Sequence, residues 1–498
     1  MPENIKTGIV VDTHLGWRDV AAVAEGARLQ LSEAAKRRII DARAVVEAIV
    51  DRGIRAYGVN TGVGALCDVV VDRPLQRQLS HNILMSHATG IGAPLGVVET
   101  RAIMATAVSN YALGYSGVRL EVVEALAGLL NADVTPLVPA KGSVGYLSHM
   151  AHIALVLIGS GRARVGDKIV GGAEALAAAG LAPQELGAKE GLSLVNGIPC
   201  ATGLASLALK RSEQLLDWAD ATAALTIEAL MGNPAAFDPV ALSLRASPSL
   251  QTVGAALRDR LAGSGIIAAG AGRKTQDALS LRAVPHVHGA ARDAFASAAD
   301  VVARELASVS DNPAIVGTPE APGVHSEAHA VGAAVGLALD QLAVAVAEVA
   351  AMAERRLDRL VNPLVSGLPA FLAADSGVSS GFMIAQYAAV SLVNENRRLS
   401  LPASLDGGIT SALQEDHLSH ATPASLKALT VIENAEAILG IELLAAGQAH
   451  EFRHEGRAPG TERLYRQIRG IVPSYADDRP LADDMASSAD LIRANSPA

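Results

Sequence analysis

Ala328 to Met352 reads AHAVGAAVGLALDQLAVAVAEVAAM and carries Asp340, Gln341 and Glu348 in its interior. The run is long and apolar enough to invite a membrane-spanning reading, but charges in its middle are expensive in lipid. It therefore reads as a buried helix of a soluble bundle. Extended from Ser326 to Leu360, the helix is apolar almost all round, which places it at the centre of a bundle or an oligomer. Further helices are expected in DARAVVEAIVDRG from Asp41, ending near Gly53, and over Val118–Asn131, Ala201–Met231, Asp293–Ser308 and Glu433–Gln448. Residues 1–115 mix short apolar runs, turns and one or two helices. The expected organisation is a smaller mixed N-terminal domain, 1–115, followed by a helical bundle and C-terminal helical region, 116–498. The fold class is mainly α.

Composition agrees. Of 498 residues, 50% are hydrophobic but only 3% aromatic and 18% charged, so Ala, Leu, Val and Gly build the core and favour close helix packing. The formal charge is −10 with no basic tract, which argues against a nucleic-acid partner. Cys67 and Cys200 are the only cysteines, which fits a reducing cytoplasm, and no Cys/His cluster has metal-ligand spacing. The start, MPENIKTGIVVDTHLGW, lacks the basic-then-apolar pattern of a signal peptide. A cytoplasmic protein without metal or membrane partner is expected.

Four Gly-punctuated polar loops interrupt the apolar sequence. In YGVNTGVG, Tyr57 to Gly64, the glycines allow tight turns and close approach to a ligand, or an ordinary turn with a packed Tyr. It lacks the Lys-Ser/Thr ending of a phosphate loop. In LSHNILMSHATGIGAPLG, His81 and His87 are not spaced as a metal pair on one helix face. Across Val138–Gly161, Lys141, Tyr146, His149 and His152 crowd a turn that opens an apolar helix. Such a turn is useful for an anion or a shifted pKa, and equally a plain helix start. In SALQEDHLSH, Ser411 to His420, Gln414, Glu415, Asp416 and His417 suit acid/base work or a solvated loop. From these residues alone there are several candidate sites and no reaction.

Taken in order, the loops resemble the histidine/phenylalanine/tyrosine ammonia-lyase family, of the aspartase–fumarase helical architecture. YGVNTGVG resembles the family's tyrosine loop, LMSHATGIG its His-Ala-x-Gly segment, and AKEGLSLVNG, Ala188 to Gly197, its asparagine loop. SVSDNPAIV at Ser308, SGFMIAQ at Ser380 and TSALQEDH at Thr410 complete a match from about Arg55 to Arg453. The resemblance implies Tyr57 as the base, Asn196 and Arg282 as holders of the substrate carboxylate, and Glu415 near the leaving amine. It also implies Gln276 near the family's electrophile, His87 facing the ring, and a homotetramer whose sites draw on three subunits. A Tyr acting as base needs a depressed pKa, from nearby cations or a helix dipole.

The main departure follows GSVG. The family continues with Ala-Ser-Gly, which cyclises to a methylidene-imidazolone electrophile. Here Gly145 is followed by Tyr146, Leu147, Ser148 and His149. Leaving the triad out aligns Leu147 and His152 with the family and puts Tyr146 and His149 in place of an Asp and a Pro. No cofactor is then expected. Tyr146 fills the space or contacts the amine, while His149, Arg397 or Arg398 takes up charge at the ring. The family's Gly-Asn-Phe-His reads GVHSEAH, Gly323 to His329; its Tyr before Ser-Leu-Arg is Leu279, and a later Gln is His286. These departures resemble the ergothionase branch. The expectation is therefore a carbon–nitrogen lyase that eliminates trimethylamine from a histidine betaine, ergothioneine to thiolurocanate, without the electrophile. The alternatives are a histidine or other aromatic ammonia-lyase, a lyase acting on the sulfur-free betaine hercynine, and an inactive homologue.

Overall fold

The computed structural model describes residues 8–375, 377–405 and 407–498. The first seven residues of the expected N-terminal domain lie outside that range. Long helices dominate, as expected. The chain forms two compact units: Met1–Lys210, Ala299–Asp340 and Pro402–Leu426 in one, and Arg211–Ala298, Gln341–Leu401 and Lys427–Ala498 in the other. Residue 115 falls inside the first.

The first unit holds the small sheets. Gly8–Val11 pairs in parallel with Arg28–Leu31, and Val134–Pro136, Arg162–Val165 and Lys168–Gly171 form an antiparallel three-stranded sheet. Ser32 caps the helix Glu33–Asp51 by accepting from Ala35 N at 3.0 Å, and the chain leaves that helix through Gly53 at φ +64°. The helix Val97–Ala112 is buried from Thr100 onward. Its Arg101, 3% exposed, donates to the carbonyls of Val23, Ala24 and Leu130 and so satisfies the ends of two neighbouring helices. Gly191 lets the short helix Glu190–Val195 lie against Gln76–His87, because a Cβ there would meet Ser80 O at 2.2 Å. That approach matters because both helices end in residues of the site described below.

In the second unit, charges inside apolar helices are neutralised in place. Arg356 donates to Glu442 through Nε at 2.6 Å and Nη2 at 2.8 Å, with both side chains 0% exposed, and Thr226 Oγ1 adds a bond of 2.7 Å to the same carboxylate. Asp220 accepts from Arg292 at 2.6 Å and pairs with His288 at 2.7 Å. These partners make an otherwise apolar helix interior tolerable for charge.

Helix limits differ from the sequence reading. The expected helix from Ser326 begins at Ala333 and runs to Val361. Before it, Ala314–Gly317 and Pro322–His325 form a hairpin. The helix expected from Asp293 starts back at Val284, because Pro285 is tolerated in a first turn, and the helix expected from Glu433 spans Ala421–Ala449. The most apolar window of Ala333–Val361 is 61% buried within the fold, and that of Glu190–Ala229 is 100% buried.

Candidate active site

A cavity of about 1130 Å³ lies in the first unit. Its tyrosine comes from a loop that folds on its own polar side chains. Asn60 Oδ1 accepts from Ala56 N, Asn60 Nδ2 donates to Ile54 O, each at 2.9 Å, and Thr61 Oγ1 accepts from Gly58 N at 3.1 Å. Gly58 sits at φ +64°, and a Cβ there would lie 2.2 Å from Leu192 Cδ2. The turn presents Tyr57 to the cavity, where its hydroxyl accepts from Gly64 N at 3.0 Å. Burial pushes the phenol up, the Gly64 N–H opposes this, and the charge of Glu415 pushes it further up. The depressed pKa expected of a base is therefore not found among the described residues, whose net effect on Tyr57 is to raise it.

Glu415 arrives on a strained loop. Ser411, Ala412 and Leu413 have φ of +51°, +51° and +76°, a region costing non-glycine residues about 1–3 kcal/mol each. The loop is closed by backbone bonds between Thr410 and Glu415 of 2.9 and 3.3 Å, and tied to the tyrosine loop by Ala65 N donating to Ser411 Oγ at 3.0 Å. Glu415 Oε2 accepts from Tyr146 Oη at 3.0 Å and from Thr410 Oγ1 at 3.2 Å. Tyr146 is 8% exposed and lines the cavity. It opens a γ-turn: Leu147 adopts φ +74°, ψ −78°, and Ser148 N donates back to Tyr146 O at 3.2 Å. Leu147 N donates to Val195 O at 3.1 Å and Ser143 Oγ to Tyr146 O at 3.0 Å, which hold the turn.

Asn196 is aligned from behind. Its Nδ2 donates to Asn312 O at 2.7 Å and, more weakly, to Asp311 Oδ1 at 3.4 Å. With its N–H groups so engaged, the amide offers the cavity an acceptor, which suits an ammonium group better than the carboxylate expected of it. Asp311 is neutralised by Lys189, whose Nζ donates to Asp311 Oδ2, Ser116 O and Ser193 Oγ, each at 2.8 Å. Burial pushes Lys189 down, and Asp311 counteracts. His87, at the end of its helix, lines the cavity with Nδ1 at 3.0 Å from Ser86 Oγ, and burial favours its neutral form.

Tyr57, His87, Tyr146, Asn196 and Glu415 thus meet at one cavity. The other expected residues do not. His149 is 1% exposed, contacts Ala140 O at 3.2 Å through Nε2, is held neutral by burial and lines no part of the cavity. Gln276 and Arg282 belong to the second unit, where Arg282 Nε donates to Asp277 O at 3.0 Å and, with the Gln276 amide turned over to face it with its oxygen, Arg282 Nη2 donates to that oxygen at 2.9 Å. There Gln276 lines a separate cavity of about 200 Å³ with Lys274, Asp277 and Arg359. Arg397 and Arg398 are exposed near the end of the helix Met383–Leu399.

Sequence reasoning missed Glu327. It lines the cavity, its backbone N donates to Asn312 Oδ1 at 2.8 Å, and it pairs with His329. Burial pushes its carboxyl up, and a hydrogen bond from the His329 backbone opposes. The signal was present, since GVHSEAH departs from the family's Gly-Asn-Phe-His. Lys189 and Asp311 were equally visible inside quoted motifs, without a partner to give them a role.

The residues after Gly145 do not fit the family's electrophile. A methylidene group arises when the central serine of the triad loses water. The centre of the turn here is Leu147, whose side chain has no hydroxyl to expel. The residue after it, Ser148, already opens the helix Ser148–Leu157.

The family model for aromatic amino acid lyases matches residues 15–470. The histidine ammonia-lyase of Deinococcus radiodurans is 44% identical over 472 residues, covering 94% of this chain and 90% of the relative. Among solved structures, histidine ammonia-lyase from Trypanosoma cruzi superposes with a TM-score of 0.90 at 33% identity, covering 98% and 93% of the two chains. Ergothionase from Treponema denticola, in complex with desmethyl-ergothioneine sulfonic acid, gives the same TM-score of 0.90 at 26% identity, covering 97% and 98%. The expectation of a trimethylamine-releasing ergothionase is corrected by this contrast: the chain is far more similar to histidine ammonia-lyases, and the departures around Tyr146 do not outweigh likeness over nearly the full length. With 456 consecutive residues, 15–470, under one family model and the tyrosine, histidine and asparagine loops meeting at one cavity, the chain belongs to the aromatic amino acid lyase family.

Proposed function

We propose that this chain is a carbon–nitrogen lyase of the histidine ammonia-lyase kind, removing the amino group and a β-hydrogen from an aromatic α-amino acid, histidine first among them. The observation that carries this reading is the convergence of Tyr57, His87, Asn196 and Glu415 on one cavity in a chain so similar to histidine ammonia-lyases. Tyr57, as phenolate, takes the β-proton. Neutral His87 faces the ring. Glu415 and the Asn196 amide oxygen receive the cationic amino group. The carboxylate is held by Arg282 from another copy of the chain, since the planar guanidinium fork matches two carboxylate oxygens. A homotetramer with shared sites supplies that copy. The helix Met383–Leu399 supports the assembly, because it leaves Ile384 62% and Tyr387 63% exposed, one turn apart on the same face.

The test is direct. Purified chain mixed with L-histidine is expected to release ammonia and to form a conjugated, ultraviolet-absorbing acrylate. No product from histidine, phenylalanine or tyrosine would overturn the reading. The misfit at Tyr146–Ser148 favours one second reading, a homologue that binds amino acids without turnover. In that case Tyr57→Phe would leave every measurable property unchanged.

A further inference from the structure

We infer that Tyr146, clamped by Glu415, replaces the backbone-derived electrophile in this chain, and that the pair receives the substrate's amino group as a cation. The inference rests on the lyase reading above and specifies how that site handles nitrogen.

Three observations carry it. First, the turn keeps a shape suited to ring closure but has lost the means to complete it. A γ-turn brings the third residue's N–H onto the first residue's carbonyl, here Ser148 N to Tyr146 O at 3.2 Å. Closing a five-membered ring needs the same two partners. With Leu147 at the centre, dehydration cannot follow. Second, the side chain at the first position of that turn reaches across the cavity and donates to Glu415 Oε2 at 3.0 Å. Burial and the Glu415 charge both push the Tyr146 phenol up, so it stays a neutral donor and does not compete with Tyr57 for the β-proton. Third, both described donors to the Glu415 carboxylate go to Oε2. Among the described residues nothing donates to Oε1, and nothing donates to the Asn196 amide oxygen. The site therefore offers charge and acceptors to an ammonium group, where the family's electrophile would offer a carbon atom to a neutral amine.

The chemistry balances without a further reagent. The Tyr57 phenolate takes the β-proton, and the electrons of the Cβ–H bond form the Cα–Cβ double bond. The Cα–N bond breaks with its pair going to nitrogen. A nitrogen that enters as ammonium departs as neutral ammonia, so a covalent adduct is not needed to make it leave. What the site must do is keep the amine cationic until the bond breaks.

The test has two parts. Mass spectrometry of the peptide spanning Gly142 to His152 is expected to show the encoded, unmodified mass; loss of water from it would overturn the inference. Binding of L-histidine and of imidazolepropionate, which has the same ring and carboxylate but no amine, is then compared by calorimetry. It is done in a Tyr57→Phe background so that histidine is not consumed. Adding Glu415→Gln is expected to weaken histidine by about 10–100-fold, the range for a charge-assisted hydrogen bond, and imidazolepropionate by less than about twofold. Adding Tyr146→Phe should weaken histidine selectively by a smaller factor. Equal weakening of both ligands, or none, would overturn the inference. If the selective pattern appears but the wild-type chain releases no ammonia from histidine, the amine site stands and the ammonia-lyase reading falls. If the peptide has lost water and ammonia is released, the reverse holds.

Discussion

Replacing Lys189 by Met tests the buried support behind Asn196. Lys189 and Asp311 are both 0% exposed and 2.8 Å apart, and the ammonium also satisfies Ser116 O and Ser193 Oγ at 2.8 Å each. Met keeps the length of the side chain but removes the charge, leaving Asp311 ionised in a site without water-accessible surface. Breaking such a pair by removing one partner costs about 3–5 kcal/mol, a large part of a typical domain stability of about 5–15 kcal/mol. Removing the second charge as well, in Lys189→Met/Asp311→Asn, takes away the stranded carboxylate. It leaves unsatisfied polar groups worth about 1–3 kcal/mol. The double variant is therefore expected to be more stable than the single one. Denaturant titration followed by circular dichroism measures both, at one protein concentration because an oligomer's stability depends on it. Since Asp311 Oδ1 also accepts from Asn196, the single variant should lose turnover at temperatures where it is still folded. A loss below about 1 kcal/mol, or a double variant weaker than the single, would refute the claim that this ion pair sustains the site.

Tyr57→Phe removes one hydroxyl whose described partner is Gly64 N, so it should fold normally and lower kcat by about 10²–10⁴-fold, the usual share of a positioned base; initial rates on histidine check this. His450 is fully buried, its Nε2 at 3.0 Å from Leu225 O, and burial holds its pKa at about 3. Because the unfolded chain takes up this proton near pH 6.5 and the folded chain does not, stability should fall with pH below 6.5 by about 1.4 kcal/mol per unit until about pH 3; His450→Gln should flatten that slope in denaturation curves. Tyr387→Glu places a charge on the exposed apolar face of Met383–Leu399 and should shift the chain to smaller assemblies in light scattering, with loss of turnover if sites are shared.

What the sequence made legible were local devices. YGVNTGVG could be read as a turn presenting Tyr57 because Gly58, Asn60 and Thr61 fold it through bonds within the loop itself. The long apolar helices were legible for the same reason, since their pattern is a property of consecutive residues. Residues whose role depends on distant partners were not. The span from Ser326 is apolar enough to continue the helix, yet Glu327, Ala330 and Val331 line the cavity, and Asn312 anchors Glu327. Lys189 reads as a surface lysine until Asp311 is placed beside it. The raised pKa of Tyr57 comes from its burial, which only the folded cavity creates, and then from Glu415, which another loop delivers.

Tyr57 and Glu415 also bear on how the base is made. Burial first, and the Glu415 carboxylate after it, oppose ionisation of the Tyr57 phenol, so this chain's own groups hold its proposed base in the protonated state. A substrate ammonium seated on Glu415 offsets that charge and so relieves one of the influences that, after burial, hold the proton on Tyr57. Binding of the correct amine then activates the base, and a ligand with ring and carboxylate alone does not. The expected outcome is a tyrosinate difference spectrum at a fixed alkaline pH when an unreactive cationic amine analogue of histidine binds, and a much smaller one with imidazolepropionate. Glu415→Gln should raise the tyrosinate signal without ligand and narrow the difference between the two ligands, because the neutral amide no longer opposes ionisation and only the ammonium's own charge still favours it. Equal spectra from both ligands in the wild-type chain would show that the carboxylate does not govern Tyr57. The base would then have to be set by groups that only the assembled oligomer brings to the cavity.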